Sequence, residues 1–182
     1  MKSVFNVVLI GIAIVTMLSV TAVVSAQKDA QEATETAKAT SDYVLPYPGI
    51  LPGHPLYPIK MARDQFLGWL ITDPLKKAEY NLLMADKRLN SGYYLIQYGK
   101  QKDGIVTISK GEKYFGIALE WAKTAKGKGI DTNPFKDQMI KSSLKHEEIL
   151  AELIAKGPMD IRREASSVAK MVSEFQGQVK GL

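Results

Sequence analysis

The stretch LKKAEYNLLMADKRLNSGYYLI, residues 75–96, decides the fold. Leu75, Ala78, Leu82, Ala85, Leu89, Gly92 and Ile96 recur in it at spacings of three and four. That rhythm winds a single apolar seam along an α-helix and cannot serve a strand, whose faces alternate every second residue. The start is written just upstream. In Thr72-Asp73-Pro74, Asp73 offers a carboxylate to cap the new helix, and Pro74 takes the first helical position, where a missing N–H costs nothing. The helix is expected to end near Gly99.

The same period extends in both directions. Upstream, residues 56–71 read as a helix with Pro58 in its first turn and Ile59, Ala62, Phe66 and Leu70 on its inner face. Downstream, residues 104–126 carry Ile108, Gly111, Phe115, Ala118, Ala122 and Ala125, with Asp103 as the expected cap. Small residues dominate that seam, so a neighbouring backbone can come close to it. The run Gly104-Ile105-Val106-Thr107-Ile108 is the most strand-like in the chain, and its place in the seam favours helix. Gly127, Gly129 and Asn133-Pro134 punctuate the start of a helix at about 134–156 with Phe135, Met139, Ser142, His146, Ile149 and Leu153 inward. Gly157-Pro158 closes it, and a last helix carries Ile161, Ala165, Val168, Val172, Phe175 and Val179. Such stripes can be hidden only against one another, and short connections favour antiparallel packing. The expectation is an all-α, up-and-down bundle of four or five antiparallel helices.

Ahead of the bundle, YVLPYPGILPGHPLYP (43–58) contains five prolines and must run extended or turning. Its Val44, Leu45, Tyr47, Ile50, Leu51, Leu56 and Tyr57 are many for a free linker, so this strap is expected to lie against the helices; a proline-rich ligand for a partner domain is the alternative. Residues 27–42, without an aromatic or a large aliphatic, read as a flexible polar spacer. Residues 3–27 carry no charge and include Val24-Ser25-Ala26, so residues 1–26 read as a signal peptide cleaved after Ala26. As a helix, that run would reach about 37 Å at 1.5 Å per residue, enough to span a bilayer core, so a retained membrane anchor is the alternative. The expected domains are therefore 1–26, 27–42 and a bundle over 43–182, and the expected location is extracytoplasmic: secreted, or associated with the cell envelope.

Composition narrows the chemistry. The 182 residues include no Cys, which removes disulfides, thiolate metal sites and thiol nucleophiles. The net charge of +5 is spread along the chain and interleaved with acids, and no basic aromatic cluster marks a nucleic-acid surface.

Few residues offer chemistry. His146 falls on an inward position one turn after Ser142; the two form the candidate ligand or polar-core position. The expectation for His146 is a structural imidazole bonded to a Tyr, Ser or carboxylate of a neighbouring helix, with a metal or proton-linked role as the alternative. His146-Glu147-Glu148-Ile149-Leu150 lacks the second His of a metalloprotease helix. His54 and Tyr57 are candidate strap contacts. Asp64, Asp73, Glu79, Asp86, Glu112, Glu120, Glu147 and Glu148 lack the Glu-x-x-His spacing of a bundle metal pair and are expected on a charged outer face. Tyr93, Tyr94, Tyr98, Tyr114 and Trp121 read as edge packing, with a carbohydrate platform as the alternative. No catalytic residue, metal ligand or cofactor is expected.

Residues 45–92, LPYPGILPGHPLYPIKMARDQFLGWLITDPLKKAEYNLLMADKRLNSG, with TISKGEKYF at 107–115 and SSLKHEEIL at 142–150, resemble an exported bacterial family catalogued as domain of unknown function 5667. The resemblance rests on Pro55-Leu56-Tyr57, Asp73 to Glu79 and Ala85 to Leu89 in order. It implies an extracytoplasmic helical module with no established enzymatic activity or cofactor. The expected function is a non-catalytic interaction or scaffolding module whose partner is a protein or a cell-wall polymer. No nucleic acid is expected, and membrane contact only through residues 3–26 if they are retained. The alternative is an extracytoplasmic sensor or ligand-binding bundle for a small molecule, a metal ion or unfolded chains.

Overall fold

The computed structural model describes residues 42–182. The leader or anchor expected at 1–26 and the spacer up to residue 41 lie outside the described residues. The helices are α1 (Tyr57–Leu70), α2 (Pro74–Gln97), α3 (Gln101–Gly127), α4 (Asn133–Lys156) and α5 (Met159–Lys180), and no strand occurs among the described residues. The chain is an all-α helical bundle. None of these helices is long and apolar enough to cross a membrane.

The seams read from the sequence are the core. Asp73 caps α2 as its spacing requires, its Oδ1 accepting from Lys76 N at 2.8 Å. α2 and α3 form one antiparallel hairpin and α4 and α5 another. The hairpins then face each other, α3 against α5 and, less extensively, α2 against α4. Cross-hairpin partners rise together in sequence, Asp86 with Ser142 and Tyr93 with Glu152, so α2 and α4 run parallel. The closest approach is between α2 and α3. A Cβ on Gly92 would stand 2.5 Å from the Gly104 carbonyl oxygen, and one on Gly104 2.7 Å from that of Gly92. The small-residue seam exists to admit that contact.

Buried apolar side chains fall into two clusters. One gathers Leu82, Phe115, Leu119, Met139 and Val179; the other gathers Leu89, Ile108, Leu150, Leu153 and Val168. Asp86, Glu112 and His146 lie between them in sequence on each of their helices, forming a polar layer across the bundle.

Three local expectations are corrected. α1 turns outward the residues expected inside: Ile59 is 68% exposed, Phe66 58% and Leu70 52%, and Ala62 is also exposed. Its inward stripe is Tyr57, Met61, Asp64 and Gly68, because Gly68 gives the Tyr80 ring room and the Tyr80 hydroxyl donates to the Asp64 carbonyl at 2.5 Å. α3 begins at Gln101, with Lys100 at its cap position, so Asp103 sits in the first turn, where its charge favours the helix dipole. The strap meets the bundle through only part of its apolar residues. Leu45 packs on the second cluster and Asn90 Nδ2 donates to the Pro46 carbonyl at 2.9 Å, whereas Val44 and Tyr47 face solvent.

Candidate functional site

His146 sits at the centre of the polar layer, completely buried. Its Nε2 lies 2.9 Å from Asp86 Oδ1 of α2, and its Nδ1 2.8 Å from Glu112 Oε1 of α3. Asp86 is bonded further. Ser142 Oγ, one turn before His146, donates to Oδ1 at 2.6 Å, and the Tyr43 hydroxyl donates from the strap to Oδ2 at 2.6 Å. The Phe115 ring meets the imidazole edge-on at a centroid distance of 5.6 Å. Glu112 Oε2 is buried with no hydrogen-bond partner among the described residues.

Electrostatics fixes the protonation state. Burial alone would drive the imidazole neutral, but the Glu112 charge, the hydrogen bonds to Asp86 and Glu112 and the Asp86 charge outweigh it. The pKa of His146 is raised to about 10. The ring is therefore an imidazolium that donates from both nitrogens, one proton to each carboxylate. Burial and the Asp86 charge likewise raise the Tyr43 phenol, which stays a donor.

This arrangement has limited chemistry. With both nitrogens donating, His146 has no lone pair for a metal ion or for a proton abstracted from a substrate. Asp86 and Glu112 approach opposite nitrogens of one ring, so the three do not converge on a common point; no cluster of His, Asp or Glu fit to hold a metal ion occurs among the described residues. His146 lines none of the four principal clefts. The relay ties the two hairpins together.

The sequence places His146 and Ser142 inside and leads one to expect a Tyr, Ser or carboxylate of a neighbouring helix bonded to His146; both residues share one carboxylate, Asp86. It placed Asp86, Glu112 and Asp64 on an outer face, and all three are buried. Asp86 stands four residues after Leu82 and three before Leu89, and Glu112 four after Ile108 and three before Phe115. That spacing puts each beside the seam, and it is the signal that could have found them. His54 is exposed, and its Nδ1 accepts from Leu56 N at 3.1 Å; Tyr57 is half-buried, and its N donates to the His54 carbonyl at 2.9 Å. These two meet each other and share no bond with the relay. The aromatics divide: Tyr94 and Tyr98 stack in solvent, Tyr93 bonds Glu152, and Tyr114 and Trp121 line a cleft between α1, α2 and α3.

Two more features lie outside the relay. α1 presents Ile59, Phe66, Leu67, Trp69 and Leu70 to solvent on a helix of 14 residues, with Trp69 74% exposed and its ring 6.1 Å from that of Phe66. Behind α1, Arg88 is a buried cation, 8% exposed.

No family model, curated protein or solved structure matches the chain.

Proposed function

We propose that the chain is a non-catalytic helical interaction module of the cell envelope, exported across the cytoplasmic membrane and held there or released. The observation that carries this reading is the outer face of α1. Five large apolar side chains exposed together on one short helix are costly in water and mark a protein contact surface. A buried ionic layer whose imidazolium bonds both carboxylates supports a scaffold in preference to an enzyme, because its polar groups are taken up in joining helices. The uncharged run at 3–27 and the resemblance to an exported helical family support the location. The partner is a protein, since aliphatic side chains with one Trp and one Phe suit an apolar protein groove better than a hydroxyl-rich polymer.

The test is photocrosslinking in the native host, with a benzophenone amino acid at position 69 or, as control, at position 170 on α5. A protein adduct specific to position 69 that disappears on Phe66→Ser or Leu70→Ser supports the proposal. The same adducts at both positions, or none at position 69, would overturn it.

A further inference from the structure

We infer that the cleft between α1, α2 and α3 is a binding site for a small organic carboxylate with an apolar body. The site is distinct from the outer face of α1 and stands on separate observations. Arg88 forms its floor. The guanidinium has five N–H donors, yet among the described residues its hydrogen bonds run from Nη2 alone, to the Met61 thioether sulfur and the Tyr114 hydroxyl, both at 3.4 Å. Its Cζ lies 4.2 Å from the Tyr114 ring centroid, and no carboxylate among the described residues forms an ion pair with it. A buried guanidinium held by a thioether, a phenol and a ring face lacks the planar oxyanion its fork is shaped to take.

The rest of the cleft specifies what carries that oxyanion. Its volume is about 230 Å³, and Met61 and Gly68 of α1, Met84 of α2 and Ile117 of α3 supply apolar walls. A cleft of that volume holds a ligand of several heavy atoms rather than a single water, the size range of a short-chain or single-ring acid. A second cation, Lys77, rests over the Trp121 ring at 4.6 Å from its centroid and likewise has no ion-pair partner among the described residues. Asp64 is the one carboxylate in the lining, and its Oδ1 is held by Arg63 Nε at 3.1 Å and Nη2 at 2.6 Å. With Asp64 paired to Arg63, Arg88 and Lys77 are left to face an incoming anion, and the planar guanidinium fork matches a carboxylate as the head group. The carboxylate would replace the long contacts with two charge-assisted bonds from the fork, and the apolar body would displace water from Met84 and Ile117.

The experiment uses the purified chain with [methyl-13C]methionine and titrations of phenylacetate, hexanoate, phenylacetamide and inorganic phosphate near neutral pH. Saturable shifts of the Met61 and Met84 methyls with phenylacetate or hexanoate, while Met139 and Met159 stay still, support the inference. So does a loss of at least tenfold in affinity on Arg88→Met, accompanied by an unchanged or raised melting temperature of the free chain. Arg88→Lys, which keeps the charge and loses the fork, is expected to weaken binding by a smaller factor, and it serves if the Met variant does not fold. Absence of carboxylate binding, equal binding of phenylacetamide, preference for phosphate, or shifts centred on Met159 would each overturn it. None of these readouts depends on the crosslinking result at position 69, so the two proposals fail separately.

Discussion

Replacing His146 by Leu tests the account of the polar layer most directly. The substitution removes the one cation among the described residues that is bonded to both carboxylates, which are 2% and 0% exposed. Asp86 keeps two donors, Ser142 and Tyr43, and can remain ionised. Glu112 keeps none, since Oε2 is already unpartnered and Oε1 loses the imidazole. The least costly adjustment is for Glu112 to take up a proton. Against an aqueous reference of about 4.3 for Glu, that costs about 4 kcal/mol at pH 7 and about 1 kcal/mol at pH 5. The neutral-pH figure agrees with the roughly 3–5 kcal/mol for removing one partner of a buried pair. At roughly 2–4 °C per kcal/mol for a domain of this size, the melting temperature should fall by about 8–16 °C at pH 7. The deficit should shrink to a few degrees at pH 5.

The assay is thermal and urea unfolding followed by circular dichroism at both pH values. A companion variant completes it: Asp86→Leu, Glu112→Met, Ser142→Ala and His146→Leu together remove every charge of the layer, and the half-buried Tyr43 hydroxyl gives up its bond to Asp86. Replacing a complete buried ionic cluster by apolar residues is often neutral or stabilising, so the fourfold variant should recover most of the loss. A single variant within about 1 kcal/mol of the parent at pH 7, or a deficit that does not diminish at pH 5, would refute the reasoning.

Four further outcomes follow from the same structure. His146 holds its proton to about 10 when folded and to about 6.5 when unfolded, so its contribution is complete below about 6.5 and is lost as pH rises through 10. The urea midpoint of the parent should therefore fall over that window, and a flat profile would contradict the assignment. Gly92→Ala would place a Cβ 2.5 Å from both the Gly104 carbonyl oxygen and Ile108 Cγ1, forcing α2 and α3 apart at about 1–3 kcal/mol, measurable as a urea midpoint shift. Asp73→Ala removes the cap bond to Lys76 N and should cost about 1 kcal/mol, or roughly 2–4 °C in melting temperature. Trp69→Ser and Phe66→Ser, at sites 74% and 58% exposed, should change stability by no more than about 0.5 kcal/mol, and a larger loss would show that the outer face of α1 already has an intramolecular partner.

How much of this was legible differs by element. In α2 through α5 the apolar seam, the caps and the small-residue approach agree with one another, and the period alone places Leu82, Phe115, Met139 and Val172 inside. α1 fails because its amphipathicity is inverted. A reader who seeks the apolar face puts Ile59 and Phe66 inward, whereas the packing is set by Gly68 and by a hydroxyl from Tyr80, sixteen residues later. The polar layer was half legible. His146 was found because an imidazole on a seam is conspicuous, but Asp86 and Glu112 were discounted because an acid beside a seam is ordinarily solvated. Only the third dimension shows that two of them share one ring. Arg88 was missed for the same reason: in Lys87-Arg88 it reads as a surface counterion.

The position of the layer, between two apolar clusters, suggests why so costly a device belongs there. Seams built from Ala, Leu and Ile at spacings of three and four are nearly self-similar on sliding by one turn, so apolar contact alone discriminates weakly among alignments of the two hairpins. Asp86 and Glu112 belong to the α2–α3 hairpin, and Ser142 and His146 to the α4–α5 hairpin. A slip of one turn, about 5.4 Å, would carry the imidazolium past both carboxylates and bury three charges unpaired. The layer therefore acts less through net stability than through the penalty it attaches to every other register. This separates the fourfold apolar variant from the parent in a second way. It should retain helicity and most of its stability, yet show broadened or doubled methyl resonances as hairpin registers exchange. If its methyl spectrum is as sharp and single as that of the parent, the apolar seams suffice to set the register, and the ionic layer needs another explanation.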